Sequence, residues 1–455
     1  MSTENICDIC NKSYKNKSSL KNHKCKIEEL VVDDFSKISK TITEKISSVN
    51  KLNEGIFFTP GSIINKCIES ILNIPNINIK NILEPSCGSC EFITKLNNVF
   101  KNTKITGIEK NSIIYDEIKN IKFDNKNNNE IELIKSDFLT LVIDKKFDLI
   151  IGNPPFFVMK KEDINSEYYD MFEGRPNIYI IFIIICLLKL NENGILTFVL
   201  PLNFTNCLYY NKLRHHIFMN YKIIDIVDCR NDKYIDTQQD TIYIVLQNTV
   251  LQNNIENIVL QNNKNDNIEN NNQKFSLQID EYIVFNTEKN IEKLKDLYKN
   301  STNLFKLDFN VSVGTVVWNK VKDLLSEDET LTRLIYSSDI ENNELIMKTY
   351  KNNDKKNFID KDGLNEPILV LNRGYGKGSY DLNYCLINMT KKYLLENHLI
   401  SIKYTKPVSK ELLIEKYNNI IKSFDNPKTK EFIHLYFGNN AINTTELKYI
   451  LPIHL

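Results

Sequence analysis

The residues best spaced for chemistry in this chain are Asn153-Pro154-Pro155-Phe156. They follow an apolar run, Phe147 to Gly152, that reads as a strand. The tetrapeptide thus falls at a strand's carboxyl end, where open α/β sheets hold their ligands. Two prolines remove two backbone donors and stiffen the turn. The Asn153 side-chain oxygen and the Pro154 carbonyl are left to accept both hydrogens of one substrate NH₂, and Phe156 offers a face to a planar group. Accepting both N–H bonds draws the nitrogen lone pair out of conjugation, which an aryl amine needs before it can attack. The plainer alternative is a rigid strand-to-loop turn with a buried Phe, and the tetrapeptide alone leaves both open.

Three further sites fall at successive strand ends. Ile82 to Phe92 reads as strand, small-residue turn and helix, with Gly88 letting backbone approach a ligand. Glu84 makes that turn better suited to a cationic cofactor end than to a pyrophosphate. Glu109 closes the next strand about 20 residues on, the distance at which an acid grips ribose hydroxyls. Ser136-Asp137-Phe138 follows the third strand and offers a carboxylate for an adenine amino group beside an aromatic wall. Singly these read as a cap, a solvated acid and a core Phe; four in order argue for a site.

The elements that must position them alternate. Asn81–Glu84, Ile105–Glu109, Ile131–Ile134, Asp148–Gly152, Ile195–Leu200, Ile223–Val227 and Thr241–Leu246 read as strands, and Ile178–Leu190 and Phe204–Tyr221 as helices. Such alternation predicts a parallel sheet covered on both faces. Residues 27–54 read as a helical linker and 55–250 as the catalytic domain. Residues 251–274 are an Asn-rich, low-complexity stretch with little to bury. Residues 275–455 read as a separate α+β domain.

With Phe57-Phe58-Thr59-Pro60 ahead of these motifs, the set resembles the S-adenosylmethionine-dependent adenine-N6 DNA methyltransferases. The order, with the Thr-Pro element first and a long region after Phe156, is similar to the gamma-type (TaqI-like) enzymes of type II restriction-modification. The resemblance covers about 55–455 and implies a Rossmann-like seven-stranded α/β methyltransferase domain followed by an α+β target-recognition domain. It implies that Thr59 and Pro60 contact the methionine part of the cofactor, and that Glu84, Cys87 and Gly88 line its turn. Glu109 would hold the ribose, and Asp137 and Phe138 the cofactor adenine. Asn153 and Pro154, stiffened by Pro155, would orient the target N6, with Phe156 stacking on a base flipped out of double-stranded DNA. A second stacking aromatic is expected past the Asn-rich stretch, Phe275 first and Phe285 or Tyr282 as alternatives. RNA adenine, protein glutamine and a catalytically dead DNA-binding relative remain the competing readings.

The first 26 residues hold a different pattern. Cys7, Cys10 and His23 have the spacing of a zinc finger core, and Cys25 is the remaining candidate ligand, one residue after His23 rather than three to five. A C₂H₂- or C₂HC-like zinc site over 1–26 is expected. Composition bounds the rest. The 455 residues carry 58 basic and 58 acidic side chains, which excludes a uniformly basic nucleic-acid coat. That zero sums a basic finger, an acidic middle and a weakly basic C-terminal region, so DNA attraction must come from local clusters. Only five of the 58 basic residues are arginine. One of them, Arg373, sits in Arg373-Gly374-Tyr375-Gly376-Lys377, a cationic glycine-rich loop suited to DNA, so Arg373 and Lys377 are the DNA-recognition candidates. The longest apolar run is too short for a bilayer and no signal core opens the chain, so a soluble intracellular protein with no membrane partner is expected. No nuclease cluster is evident, which leaves cleavage to a separate cognate endonuclease, if there is one. The scarcity of Arg against Lys, as in an AT-rich coding genome, together with a finger on a bacterial-type enzyme fits a large DNA virus or a eukaryotic acquisition.

Overall fold

The computed structural model describes residues 5–6, 13–14, 34–235, 237, 239–249, 271–352, 354–374, 380–437 and 442–455. At the N-terminus β1 (Asn5–Ile6) pairs antiparallel with β2 (Ser13–Tyr14). Next come α1 (Lys37–Lys45) and α2 (Ser48–Glu54), whose first turns are capped by the Ser36 and Ser47 side chains. Helix α3 (Gly61–Leu72) turns Ile63, Ile64, Cys67, Ile68 and Ile71 inward, a one-face helical stripe.

The seven expected strands are all present and form one sheet. They are β3 (Asn81–Glu84), β4 (Lys104–Glu109), β5 (Glu130–Lys135), β6 (Phe147–Gly152), β7 (Leu190–Pro201), β8 (Tyr221–Asp228) and β9 (Thr241–Asn248). Their order is β5-β4-β3-β6-β7-β9-β8. The sheet differs from the all-parallel expectation at one place: β9 is antiparallel to both β7 and β8. The loop joining β8 to β9 has no described helix to carry the chain back across the sheet, so the adjacent strand runs the other way. Helices α4 (Glu91–Val99) and α5 (Ser112–Ile118) follow β3 and β4. Because β4 lies on one side of β3 and β6 on the other, the switch point opens between the carboxyl ends of β3 and β6.

The apolar run of 178–188 is α6 (Ile178–Leu188), buried on every side from Ile178 to Leu187. The sheet lies on one flank, while α7 (Asn211–Asn220) and the hairpin β10 (Ser276–Ile279)–β11 (Tyr282–Phe285) close the other. The single helix expected over 204–221 is shorter. Short 3₁₀ turns at Leu202–Thr205 and Leu208–Tyr210 precede α7, because Asn206 and Cys207 leave helical geometry. The Asn-rich stretch also holds a surprise at its end. Asn272 is fully buried; its amide donates to the Phe218 and Tyr221 carbonyls and its oxygen accepts the Ile223 N–H.

The hairpin is a shared wall: Ile283 and Phe285 join the core around α6, whereas Leu277, Ile279 and Val284 join the core beyond it. That second core lies between α8 (Glu288–Tyr298), α9 (Lys410–Phe424), α10 (Pro427–Tyr436) and an antiparallel sheet of 309–313, 399–404, 368–372 and 384–387. A second four-stranded sheet, containing 332–335 and 393–395, completes an α+β C-terminal half.

Candidate active site

At the carboxyl end of β3, Glu84 leads into a turn that Gly88 and Cys90 take with φ of 48° and 63°. Gly88 lies against the Phe58 ring and donates its N–H to Glu109 at 3.0 Å. The other Glu109 oxygen accepts the Asn111 N–H at 2.6 Å. Each oxygen keeps a lone pair for a hydroxyl. Glu109 is 7% exposed, and burial pushes its carboxyl up to about 6 against the pull of those backbone donors. Glu84 is more extreme. It is 2% exposed, one of its oxygens is buried without a partner, and burial, with Cys90 and Glu109 nearby, drives its carboxyl well above the usual range. A buried acid in that state accepts a cation far more readily than an anion.

Asn153 is held from the opposite wall. Its Nδ2 donates to the Phe57 carbonyl at 2.9 Å, which fixes the amide's orientation, and Ser86 Oγ donates to its backbone oxygen at 3.3 Å. Its Oδ1 is buried and unpartnered. An oriented amide with an idle acceptor is what the first reading of Asn153 requires.

A cleft of about 210 Å³ joins these walls. It brings together Gly88, Glu109, Asp137, Phe138, Asn153 and Pro155. A side cavity of about 30 Å³ adjoins it, bounded by Thr59, Glu84, Cys87, Gly88 and Asn153. Asp137 accepts the Leu139 N–H at 3.0 Å and pairs with Lys110 at 2.8 Å, while Phe138 packs on Phe182 with ring centroids 5.0 Å apart.

Other expected residues stand elsewhere. Pro60 is buried at the head of α3, off the cleft, where its carbonyl receives the first helical N–H groups. Pro154 is buried, and Phe156 faces α6 with its ring edge-on to Tyr179 at 5.8 Å. Phe275 is 8% exposed in the core around α6, because the hairpin folds back onto that core. Phe285 is buried there too, and Tyr282 faces a second groove with Arg373. Cys7, Cys10, His23, Cys25 and Lys377 lie outside the described residues. Sequence reasoning missed the apolar walls Phe157, Ile178 and Phe182 of the cleft, and Gly55. A glycine directly after a helical stretch was the available signal for Gly55. Nothing local marks Phe182, one apolar residue in an apolar helix.

A sheet with a reversed β9, an acid-lined cleft at its switch point and an oriented amide define an S-adenosylmethionine-dependent methyltransferase. Residues 34–235 match the model of the Eco57I restriction-modification methylase family. The chain, less than half of which that match spans, is an S-adenosylmethionine-dependent nucleic-acid methyltransferase. It is 26% identical over 424 residues to a type II methyltransferase, M.CvrRI, of Paramecium bursaria Chlorella virus XZ-6E, covering 91% of this chain and 98% of that one. The modification methylase CviBIII of Paramecium bursaria Chlorella virus NC1A is 29% identical over 223 residues, 48% of this chain and 56% of its own. M.AccI, a type II methyltransferase of Acinetobacter calcoaceticus, is 25% identical over 228 residues, 44% of this chain and 41% of its own. Among the described residues no helix is long and apolar enough to cross a membrane.

Proposed function

We propose that this enzyme methylates adenine N6 at a specific site in double-stranded DNA, acting on a base flipped out of the helix. The observation that carries this reading is the Asn153 amide: its nitrogen is tethered to Phe57 and its buried oxygen is idle at the edge of the cleft. A flipped adenine brings two N6 hydrogens, and Asn153 Oδ1 and the Pro154 carbonyl accept them. Phe156 stacks on the base, offsetting part of the few kcal/mol that unstacking costs. S-adenosylmethionine, when bound, supplies an electrophilic methyl group. Glu84 and Thr59 face its cationic amino-acid end, Glu109 its ribose, and Asp137 with Phe138 its adenine. The donor set fits, since Glu84 is a buried acid with one oxygen left for a cation and Glu109 has lone pairs left for hydroxyls. Plasmid DNA incubated with enzyme and cofactor should gain N6-methyladenine at one short sequence, read by sequencing. Methylation of cytosine alone, or of RNA or protein alone, would reject the reading.

The pH dependence follows from Glu109. Its raised value, about 6, leaves it ionised at neutral pH and protonated as the pH falls through that range. A protonated carboxyl accepts hydroxyl hydrogen bonds poorly, so cofactor affinity should weaken about tenfold from pH 7.5 to 5. Calorimetric titration would show it, and Glu109→Gln should bind weakly with a flat profile; equal slopes for both proteins would exclude Glu109 as the cause.

The groove that holds Arg373 is lined by Lys212, Asn203 and Tyr282 and by Glu173, Glu281 and Glu446, between the two halves of the chain. In this reading Arg373 and Lys377 contact the duplex, and Arg373 sets itself against the groove's acids. At the N-terminus, Cys7, Cys10, His23 and Cys25 hold zinc in this reading, which rests on their spacing. Elemental analysis of the full chain should find about one zinc, lost in Cys7→Ser/Cys10→Ser. Equal zinc in both preparations would exclude the finger. Cleavage at the same sequence, where it occurs, belongs to a separate endonuclease.

A further inference from the structure

Arg214, on α7, is completely buried. Its guanidinium donates to three backbone carbonyls: Nε to Ile283 at 2.6 Å, and Nη1 to Phe204 at 3.0 Å and Cys207 at 2.7 Å. A planar fork can serve three carbonyls at once from one buried position, which a lysine ammonium on a flexible stem does less well. Burial lowers its affinity for a proton, to about 10, yet leaves it charged at neutral pH. Two of the three carbonyls belong to one short turn, 202–207, at the end of β7.

That turn touches both halves of the reaction. On one side Tyr179 donates its hydroxyl to Asn203 Oδ1 at 3.2 Å, and the Tyr179 ring stands edge-on to Phe156. On the other, Asn206 donates its side-chain amide to the Tyr436 carbonyl at 2.6 Å, and Tyr436 returns its hydroxyl to the Asn206 carbonyl at 3.4 Å. Tyr436 ends α10, the last α-helix of the C-terminal half. The turn also forms part of the groove of about 720 Å³ in which Arg373 lies. Displacing the turn would therefore move Phe156's neighbour and the groove wall together. None of residues 202–207 lines the cleft of Glu109 and Asn153, which meets α6 at Ile178 and Phe182.

We propose that Arg214 is a positioning residue for methyl transfer: it clamps the 202–207 turn so that the stacking ring and the C-terminal half hold one geometry while DNA occupies the groove. This rests on the base-flipping reading above. The test compares Arg214→Met, Arg214→Lys and Asn206→Ala with Leu334→Ala, a core variant of the 332–335 strand whose core holds neither the turn nor Tyr436, as the stability control. Steady-state kinetics at saturating DNA are run well below each unfolding midpoint, with cofactor affinity measured separately. Arg214→Met should lower kcat by about tenfold to a hundredfold, as misplacement by about 1 Å does. Cofactor affinity should stay within about twofold, and Arg214→Lys should recover part of the loss. Asn206→Ala deprives one buried carbonyl of its donor where Arg214→Met deprives three, so it should fold even if Arg214→Met does not, and it should lower kcat in the same direction. A kcat loss no greater than that of Leu334→Ala, for both Asn206→Ala and whichever Arg214 variant folds, would overturn the proposal. Should the wild-type enzyme methylate something other than DNA adenine, the function reading fails by itself, and the same variants then test the clamp on that substrate.

Discussion

Asn153→Ala should abolish methyl transfer, by about 10²–10³ in kcat, while cofactor affinity changes less than about threefold. The asymmetry comes from what the side chain touches. Its nitrogen satisfies the Phe57 carbonyl and its oxygen satisfies nothing in the protein. The oxygen is therefore preorganised for a donor that arrives with substrate, and interactions made only with the reacting amine act on turnover rather than on cofactor binding. Removal leaves the Phe57 carbonyl unpaired, which costs about 1–3 kcal/mol of stability. Asn153→Asp separates the two roles, since a carboxylate still accepts from an amine but cannot donate to Phe57, and it should restore little activity. Single-turnover transfer within tenfold of wild type in Asn153→Ala would refute both the amide's role and the assignment built on it.

The sheet was legible because each strand carries its own apolar run, and the cleft because its acids and Asn153 fall at consecutive strand ends. What stayed hidden depends on tertiary closure. Strand β9 looks like its neighbours, and only the short return from β8 reverses it. Phe275 is an aromatic in an expected place, but it stands just before β10 and packs into the core around α6 with Phe285. Asn272 was lost in an Asn-rich background that conceals one residue with three buried hydrogen bonds. Arg214 was legible only as one of a few arginines; its three carbonyl partners come from segments 7, 10 and 69 residues away.

The same closure makes Gly55 sensitive. It ends α2 at φ 66° and lies against the backbone of the loop that carries Asn153. A Cβ there would come within 2.4 Å of the Phe156 nitrogen and 3.1 Å of the Pro155 carbonyl carbon. These are backbone atoms, so no side chain can swing aside, and a non-glycine residue in this conformation costs a further 1–2 kcal/mol or so. The clash resolves only if the loop or the α2 end retreats by on the order of 1 Å, enough for about a hundredfold in rate. Gly55→Ala should thus lower kcat by about that factor and destabilise the fold by about 2–4 kcal/mol. Leu52→Ala on the exposed face of the same helix should leave kcat unchanged, because Leu52 projects into solvent. Since Gly55 also borders the cofactor cleft, affinity for S-adenosylmethionine should fall with it, unlike in Asn153→Ala. Full turnover in Gly55→Ala would mean that the contact between α2 and the Asn153 loop does not set the geometry of transfer.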